Sequence, residues 1–162
     1  MTREMVMLLA LLIGVVAGLR ALTPPAVVAW GAKLGWLPVA GTWAGWVAHP
    51  ITVVVLTILL VVEFITDQLP STPARTVPPQ FLARIVTGAF AGAVIGAGFH
   101  HTPTAIGSGM VGAVIGTMLG YHGRRILSAR VGKDLPVAIA EDALAVLGGF
   151  GVIALATVIA VH

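Results

Sequence analysis

Apolar segments long enough to cross a membrane recur along this chain, and they constrain its fold more than any other feature does. A helix needs about 20 apolar residues to cross the hydrocarbon core of a bilayer. The segments that qualify are residues 4–22, 45–66, 80–100, 105–123 and 136–161. Only 9% of the 162 residues are charged, whereas about a quarter are charged in a typical soluble domain. The sequence therefore predicts an all-α integral membrane protein with five transmembrane helices, in which residues 1–162 form a single transmembrane domain.

Lysine and arginine in the short loops predict the orientation, because cytoplasmic loops have an excess of these residues. The densest group lies between the fourth and fifth segments and comprises Arg124, Arg125, Arg130 and Lys133. If this loop is cytoplasmic, five crossings put the N-terminus inside and the C-terminus outside. The same topology accounts for the net charge of +3, so we expect no nucleic-acid partner.

One further apolar stretch, at residues 25–36, is too short to cross the membrane. Pro24 and Pro25 lack amide donors and break the helix at its start. Backbone groups freed in this way must be satisfied by protein or by a water-lined cavity, because lipid cannot satisfy them. The stretch is therefore either a helix on the outer membrane face, anchored by tryptophans, or a re-entrant half-helix that brings the proline break inward.

Small residues recur at every fourth position in the third and fourth segments. The first set is Gly88, Gly92 and Gly96, and the second set is Ser108, Gly112, Gly116 and Gly120. Each set forms one flat helical face that allows a second backbone to approach closely. We expect a tight antiparallel hairpin between these two segments, and a homo-oligomer assembled through the glycine-bearing helices.

Two pairs of carboxylates lie near the ends of otherwise apolar segments. Glu63 and Asp67 are four residues apart, so they share a helix face and repel each other unless a proton, an arginine or a metal ion neutralises them. Glu141 and Asp142 lie near the start of the last segment. In the predicted topology both pairs are at cytoplasmic helix ends, so we expect them to meet in one inward-facing site.

Arg20 and Arg84 are the candidate counter-ions for these carboxylates. Ionisable residues inside a span cost about 3 kcal/mol each on insertion scales and normally face the interior of a bundle. Three interpretations remain open: helix-pinning salt bridges, a proton or cation site, and an anion or lipid-headgroup site. The salt-bridge interpretation pairs Arg84 with Glu63 or Asp67, and Glu141 with Arg124 or Arg125.

The loop before the third segment is a separate candidate for binding a small anion or a lipid headgroup. It offers hydroxyl groups and a guanidinium group, and charge-assisted hydrogen bonds from such groups favour phosphate and carboxylate ligands. The candidate residues are Ser71, Thr72, Arg75 and Thr76.

The sequence lacks the patterns expected of an enzyme or a metalloprotein. It contains no cysteine, so a thiolate metal site is excluded. The chain has neither a His-Glu-x-x-His pattern, nor a phosphate-binding glycine loop, nor a G-x-S-x-G pattern. We therefore expect no enzymatic activity, no cofactor and no bound metal.

The charged residues of the second and third segments belong to a longer pattern. The run EFITDQLPSTPARTVPP begins at Glu63 and is followed by LARIVTGA. It resembles an uncharacterised family of small bacterial membrane proteins with the patterns E-x-x-x-D-K-[LIV]-P, S-R-T-x-P and A-R-I-x-x-G-A. The early AGLRALTP and the late EDA are also similar. The resemblance implies a multi-pass protein of the bacterial inner membrane but no activity. Gln68 replaces the family's lysine, which makes the charge balance more dependent on Arg84.

Two functions from different classes follow from these residues. The first is a small transporter or channel, proton- or cation-linked, in which the carboxylates bind a small ion or solute and the arginines are switching counter-ions. The residues involved are Glu63, Asp67, Glu141, Asp142, Arg20 and Arg84. The second is a structural or lipid-interacting protein of the bilayer, without transport, in which the same charges pin the helices together.

Overall fold

The computed structural model describes residues 1–67 and 76–161 of the chain. Of these residues, 84% are helical and none lies in a β-strand. The α-helices are α1 (Arg3–Leu19), α2 (Thr23–Lys33), α3 (Pro50–Thr66), α4 (Pro78–Gly98), α5 (Thr102–Val131) and α6 (Asp134–Val161), and a short 3-10 helix (Gly45–Ala48) precedes α3. The predicted all-α fold is confirmed.

Three helices, α4, α5 and α6, are long and apolar enough to cross a membrane, and they suggest a membrane protein. α3 is an apolar but shorter helix of 17 residues, and α1 also has 17 residues. The predicted spans 4–22 and 45–66 are thus shortened, because α1 stops before Arg20 and α3 starts only at Pro50. α3, α4 and α5 each have a proline in the first turn, where the missing amide has no intrahelical partner to lose.

Glycine contacts pack α1, α4 and α5 into a close three-helix core. A Cβ atom added at Gly109 of α5 would lie 2.2 Å from the carbonyl oxygen of Gly88 on α4. A Cβ atom added at Gly116 would lie 2.1 Å from the carbonyl oxygen of Val15 on α1. At these positions the backbones themselves are in contact, which requires residues without a side chain.

These contacts confirm the predicted α4–α5 hairpin but correct the role of the second glycine set. The glycines of α4 pack on Ala105 and Gly109, whereas Gly112 and Gly116 face α1 instead of α4. α5 therefore uses one face for α4 and another face for α1. Both faces are thus in contact within this chain, and the homo-oligomer through the glycine-bearing helices stays a prediction.

Both termini lie at the same end of the bundle. Met1 and Thr2 border the same cavity as Val158 and Ala160 of α6. At the opposite end, Arg20 follows the last turn of α1 and forms an ion pair with residues of α3 and α6. This arrangement is at odds with the predicted N-in/C-out orientation, which needs termini at opposite ends. The physical reason is that α1 and α3 both end beside Arg20, so the chain between them returns across the bundle.

Helix α2 begins at this turn and provides the first part of the return. Nine of its 11 residues are buried. A Cβ atom at Gly149 would approach Val27, and a Cβ atom at Gly31 would approach Ile153, so α2 runs parallel to α6. This burial fits the half-helix interpretation of the proline-broken stretch and does not fit a helix exposed on the membrane face.

We expect Gly116→Ala to destabilise the core, because the new methyl group would collide with the backbone of Val15. Overpacking of this kind typically costs about 1–3 kcal/mol, which thermal unfolding in detergent would detect as a lower melting temperature. Gly107→Ala is the matched control on the same helix, since a Cβ atom there meets no described heavy atom within 4 Å. Equal melting temperatures for the two variants would contradict the backbone contact between α1 and α5.

Candidate functional site

The candidate site is built around the break between α1 and α2. α1 ends at Leu19 and α2 begins at Thr23, so residues 20–22 belong to neither helix. A helix end leaves its last carbonyls, and a helix start leaves its first amides, without partners inside the helix. Because this break is surrounded by an apolar bundle, side chains from other helices have to provide those partners.

Arg84 binds the carbonyl end of α1. Its Nη1 atom donates hydrogen bonds to the carbonyl oxygens of Gly18 and Leu19, each at 2.8 Å. The residue is on the second turn of α4 and is only 2% exposed. Its guanidinium group thereby places a positive charge at the negative end of the α1 dipole, where cations are favoured.

Glu63 binds the amide end of α2. Its two carboxylate oxygens accept hydrogen bonds from the amides of Ala21 and Leu22, at 2.7 and 2.9 Å. The carboxylate lies at the positive end of the α2 dipole, and Arg84 is close enough to attract it. The sequence predicted a salt bridge from Arg84 to Glu63 or Asp67. The structure shows Glu63 and Arg84 both bound to backbone groups at the break, and the salt bridge stays a prediction.

Arg20 binds two carboxylates that come from two different helices. Its guanidinium group forms ion pairs with Asp67, at the end of α3, and with Asp142, on the third turn of α6. Arg20 is fully buried, and its guanidinium carbon lies 5.8 Å from the centre of the Phe64 ring, which is a cation–π distance. When all three groups are ionised, one positive charge faces two negative charges.

This cluster also has hydrogen-bonding capacity that no described residue uses. Arg20 Nε and Thr23 Oγ1 are buried and have no hydrogen-bond partner in the described part of the chain. Buried polar atoms are nearly always hydrogen-bonded in folded proteins. Arg20 precedes α2 and Thr23 is its first residue, so the break has unused polar atoms on both of its sides.

A second charged cluster lies between α5 and α6. Arg124 donates to both carboxylate oxygens of Asp134, from Nε at 3.0 Å and from Nη2 at 2.5 Å. Its Nη1 atom is 3.8 Å from a carboxylate oxygen of Glu141, and Ser128 donates a hydrogen bond of 2.8 Å to Asp134. The predicted ion pair between Glu141 and Arg124 is therefore present, although Asp134 binds the arginine more closely.

The single site predicted from the sequence is thus divided between two clusters. The structure brings one member of each carboxylate pair, Asp67 and Asp142, together on Arg20, but it directs Glu141 to the second cluster. Adjacent residues on a helix point about 100° apart, which explains the division of Glu141 from Asp142. The sequence did not identify Thr23 as a site residue, and although the prolines predict free backbone groups at the break, the sequence did not show that Glu63 and Arg84 would bind them.

The predicted anion-binding loop lies almost wholly outside the described residues. Ser71, Thr72 and Arg75 fall outside them, and Thr76 is exposed. Within residues 1–67 and 76–161, no group of three or more His, Cys, Asp or Glu side chains is arranged to hold a metal ion.

No protein-family model, no curated protein and no solved structure matches this chain. The resemblance to an uncharacterised bacterial family accordingly stays a prediction. The function has to be inferred from the geometry of the two clusters.

We expect Arg84→Gln to loosen the break between α1 and α2. The substitution leaves the buried carbonyls of Gly18 and Leu19 with a weaker, uncharged donor, and a buried group without a good partner costs about 1–3 kcal/mol. Hydrogen–deuterium exchange should become faster at the amides of residues 19–23. Arg125→Gln, at an exposed arginine of α5, is the control. Unchanged exchange at the break in Arg84→Gln would contradict the role assigned to this arginine.

Proposed function

We propose that this chain is a small proton- or cation-linked membrane transporter in which Asp67 and Asp142 compete for Arg20. The main observation in support is that two carboxylates from different helices share one fully buried guanidinium group. With both carboxylates ionised, the three side chains have one negative charge in excess, and buried charges are costly unless they are paired. A proton or a small cation that reaches either carboxylate removes this excess.

Neutralisation of a carboxylate would act on helices that are less tightly packed than the core. α3 packs against α2 and the 3-10 helix, and α6 packs mainly against α1 and α2, whereas backbone contacts join α1, α4 and α5. Asp67 ties the end of α3 to Arg20, and Asp142 ties α6 to the same residue. Neutralising one carboxylate releases its helix and leaves the arginine to the other, so α3 and α6 move alternately.

The broken helix offers a polar site next to this switch. Interrupted apolar helices often form the binding sites of transporters, because free backbone groups and helix ends bind ions. At this break Arg20 Nε can donate to a small anion or to an acceptor oxygen of a solute, and the Thr23 hydroxyl can donate or accept beside it. Glu63 and Arg84 keep the break in place and are positioning residues of the site.

The proposed topology is a multi-pass protein of the bacterial inner membrane, with the Arg20 end of the bundle on the cytoplasmic side. The basic segment Arg124–Lys133 lies at that end, as the excess of lysine and arginine in cytoplasmic loops requires. Both termini are then outside, which replaces the N-in orientation. α1, α3, α4, α5 and α6 make five crossings, and α2 with residues 34–49 makes a sixth passage, from the end of α1 back to the start of α3. The family resemblance supports the same location.

A homo-oligomer, if it forms, has a surface available on α3. The helix packs on two short elements, α2 and the 3-10 helix, and much of its apolar surface is exposed. Its exposed large side chains include Ile51, Val54, Val55, Ile58, Leu59, Val62 and Ile65.

A structural role without transport is the second candidate function. It is favoured by Glu63 and Arg84, whose charged groups bind the backbone at the break and so hold two helix ends in place. In that case Arg20 holds α3 and α6 permanently and does not exchange partners. The two candidates differ in whether neutralising Asp67 or Asp142 abolishes a flux or only lowers stability.

Ion flux in proteoliposomes separates the two candidates. Under an imposed pH gradient and with a panel of cations, we expect a flux with the wild-type protein and a loss of at least about tenfold, or about 1.4 kcal/mol, in Asp67→Asn and in Asp142→Asn. Each substitution keeps the side-chain shape but removes the negative charge that binds Arg20. Glu4→Gln is the control, because Glu4 is exposed at the opposite end of α1.

Equal flux in the wild type and in both asparagine variants would contradict the transport proposal. If the wild type shows no flux under any gradient, and the asparagine variants only melt at a lower temperature, the structural role is correct.

A further inference from the structure

A cleft lies between α1, α5 and α6, and neither Arg20 nor its two carboxylate partners line it. Its volume is about 590 Å³, within the range of about 300–1,000 Å³ that is typical of small-molecule sites. Of the thirteen described residues that line it, eleven are apolar or glycine. The other two are Arg124 and Glu141, so the cleft combines a long apolar wall with one positive and one negative group, whose nearest charged atoms are 3.8 Å apart.

The position of Arg124 along α5 places this cleft across a membrane boundary. At about 1.5 Å per residue, Arg124 lies about 33 Å from Thr102 at the start of the helix. The hydrocarbon core of a bilayer is about 30 Å thick, and α5 continues beyond Arg124 to Val131. The part of the cleft near Leu119 is therefore at hydrocarbon depth, and Arg124 is at the depth of the headgroups.

Basic residues are concentrated at the end of the cleft where Arg124 lies. Arg125, Arg130 and Lys133 are exposed on the last turns of α5 and the turn that follows it. Lysines and arginines near a membrane surface attract anionic lipids by about 1 kcal/mol each. The charge of this end therefore complements an anionic lipid better than a zwitterionic one.

The pair between Arg124 and Asp134 shows how a phosphate group fits. Asp134 accepts two hydrogen bonds from neighbouring nitrogens of the guanidinium group, which is the paired geometry that arginine also offers to phosphate. The Asp134 side chain is 58% exposed, so water can hydrate its carboxylate when the carboxylate leaves Arg124 and Ser128. A lipid phosphate at the same depth can take its place on Arg124.

We propose that this cleft binds one anionic phospholipid, with its phosphate on Arg124 and an acyl chain against Leu119, Leu127 and Leu144. The site does not depend on transport at Arg20. A bound lipid fills the space between α5 and α6 and thereby stabilises α6, the helix on which Asp142 is located.

Glycine substitutions test the cleft without disturbing the packing of the core. Gly123 lines the cleft, and a Cβ atom there meets no described heavy atom within 4 Å. Gly123→Leu therefore places an apolar side chain in the cleft from a position where its Cβ atom has open space. Gly107→Leu is the matched control, because Gly107 is also on α5, has equally open surroundings among the described residues, and does not line the cleft. Ala140→Leu, which also lines the cleft, is a second blocking variant.

The measurement is the melting temperature of the detergent-solubilised protein, titrated with phosphatidylglycerol or with phosphatidylcholine of the same acyl chains. We expect phosphatidylglycerol alone to raise the melting temperature of the wild type and of Gly107→Leu. The increase should be lost in Gly123→Leu and Ala140→Leu. Arg124→Gln should weaken the apparent affinity about tenfold to a hundredfold, as expected for the loss of a charge-assisted hydrogen bond.

Three results would overturn this proposal. The first is an equal increase with both lipids, which would show that the charge at Arg124 does not select the headgroup. The second is an undiminished increase in both blocking variants, which would place the lipid elsewhere. The third is the same increase with glycerol phosphate, which has no acyl chain and would identify a soluble phosphate as the ligand.

Discussion

The backbone break between α1 and α2 is the constraint on which the rest of the bundle depends. An apolar interior cannot hydrogen-bond free carbonyls and amides, so a chain that breaks a helix there must bring polar groups from other helices. Arg84 from α4 and Glu63 from α3 meet this need, one at each side of the break. Their placement fixes the ends of α3 and α4 beside Arg20 and thereby sets where the buried charges of this protein can lie.

The bundle combines a closely packed core with more loosely attached helices. Glycines let α1, α4 and α5 touch through their backbones, and such contacts leave little freedom for relative movement. α3 and α6 are attached to this core in part through the two carboxylates on Arg20. Removing one partner of a buried ion pair typically costs about 3–5 kcal/mol. A change in the charge of Asp67 or Asp142 therefore affects α3 or α6 far more than it affects the core.

The sequence predicts where helices form and which faces pack closely better than it predicts which neighbouring helix each face meets. Apolar runs and prolines place α4 close to its observed bounds, and the four-residue spacing of glycines predicts its contact with α5. The same spacing does not show which neighbour each glycine face meets, so Gly112 and Gly116 were assigned to α4 although they pack on α1. Counting apolar segments also missed the passage from α1 back to α3 through α2, because a helix of 11 residues is shorter than the length expected of a transmembrane helix.

The charged residues show the same limit at the level of the site. Their rarity in an apolar chain marks Arg20, Glu63 and Asp142 as important, because buried charges need partners. The identity of each partner depends on tertiary contacts between residues more than 40 positions apart. The prolines at residues 24 and 25 predict free backbone groups at the break, but the sequence does not show which side chains bind them, so Glu63 and Arg84 were not identified as their partners.

Exchange of carboxylates at Arg20 can be measured directly as a movement of α3. The chain has no cysteine, so cysteines introduced at the exposed positions Val55 of α3 and Met118 of α5 can receive spin labels. The distance between the two spin labels would be measured in nanodiscs at neutral and at acidic pH. Competition for Arg20 predicts a second distance population that appears on acidification and is already present at neutral pH in Asp67→Asn. If the wild type shows the same single distance at both pH values, and Asp67→Asn shows that distance too, the exchange is contradicted.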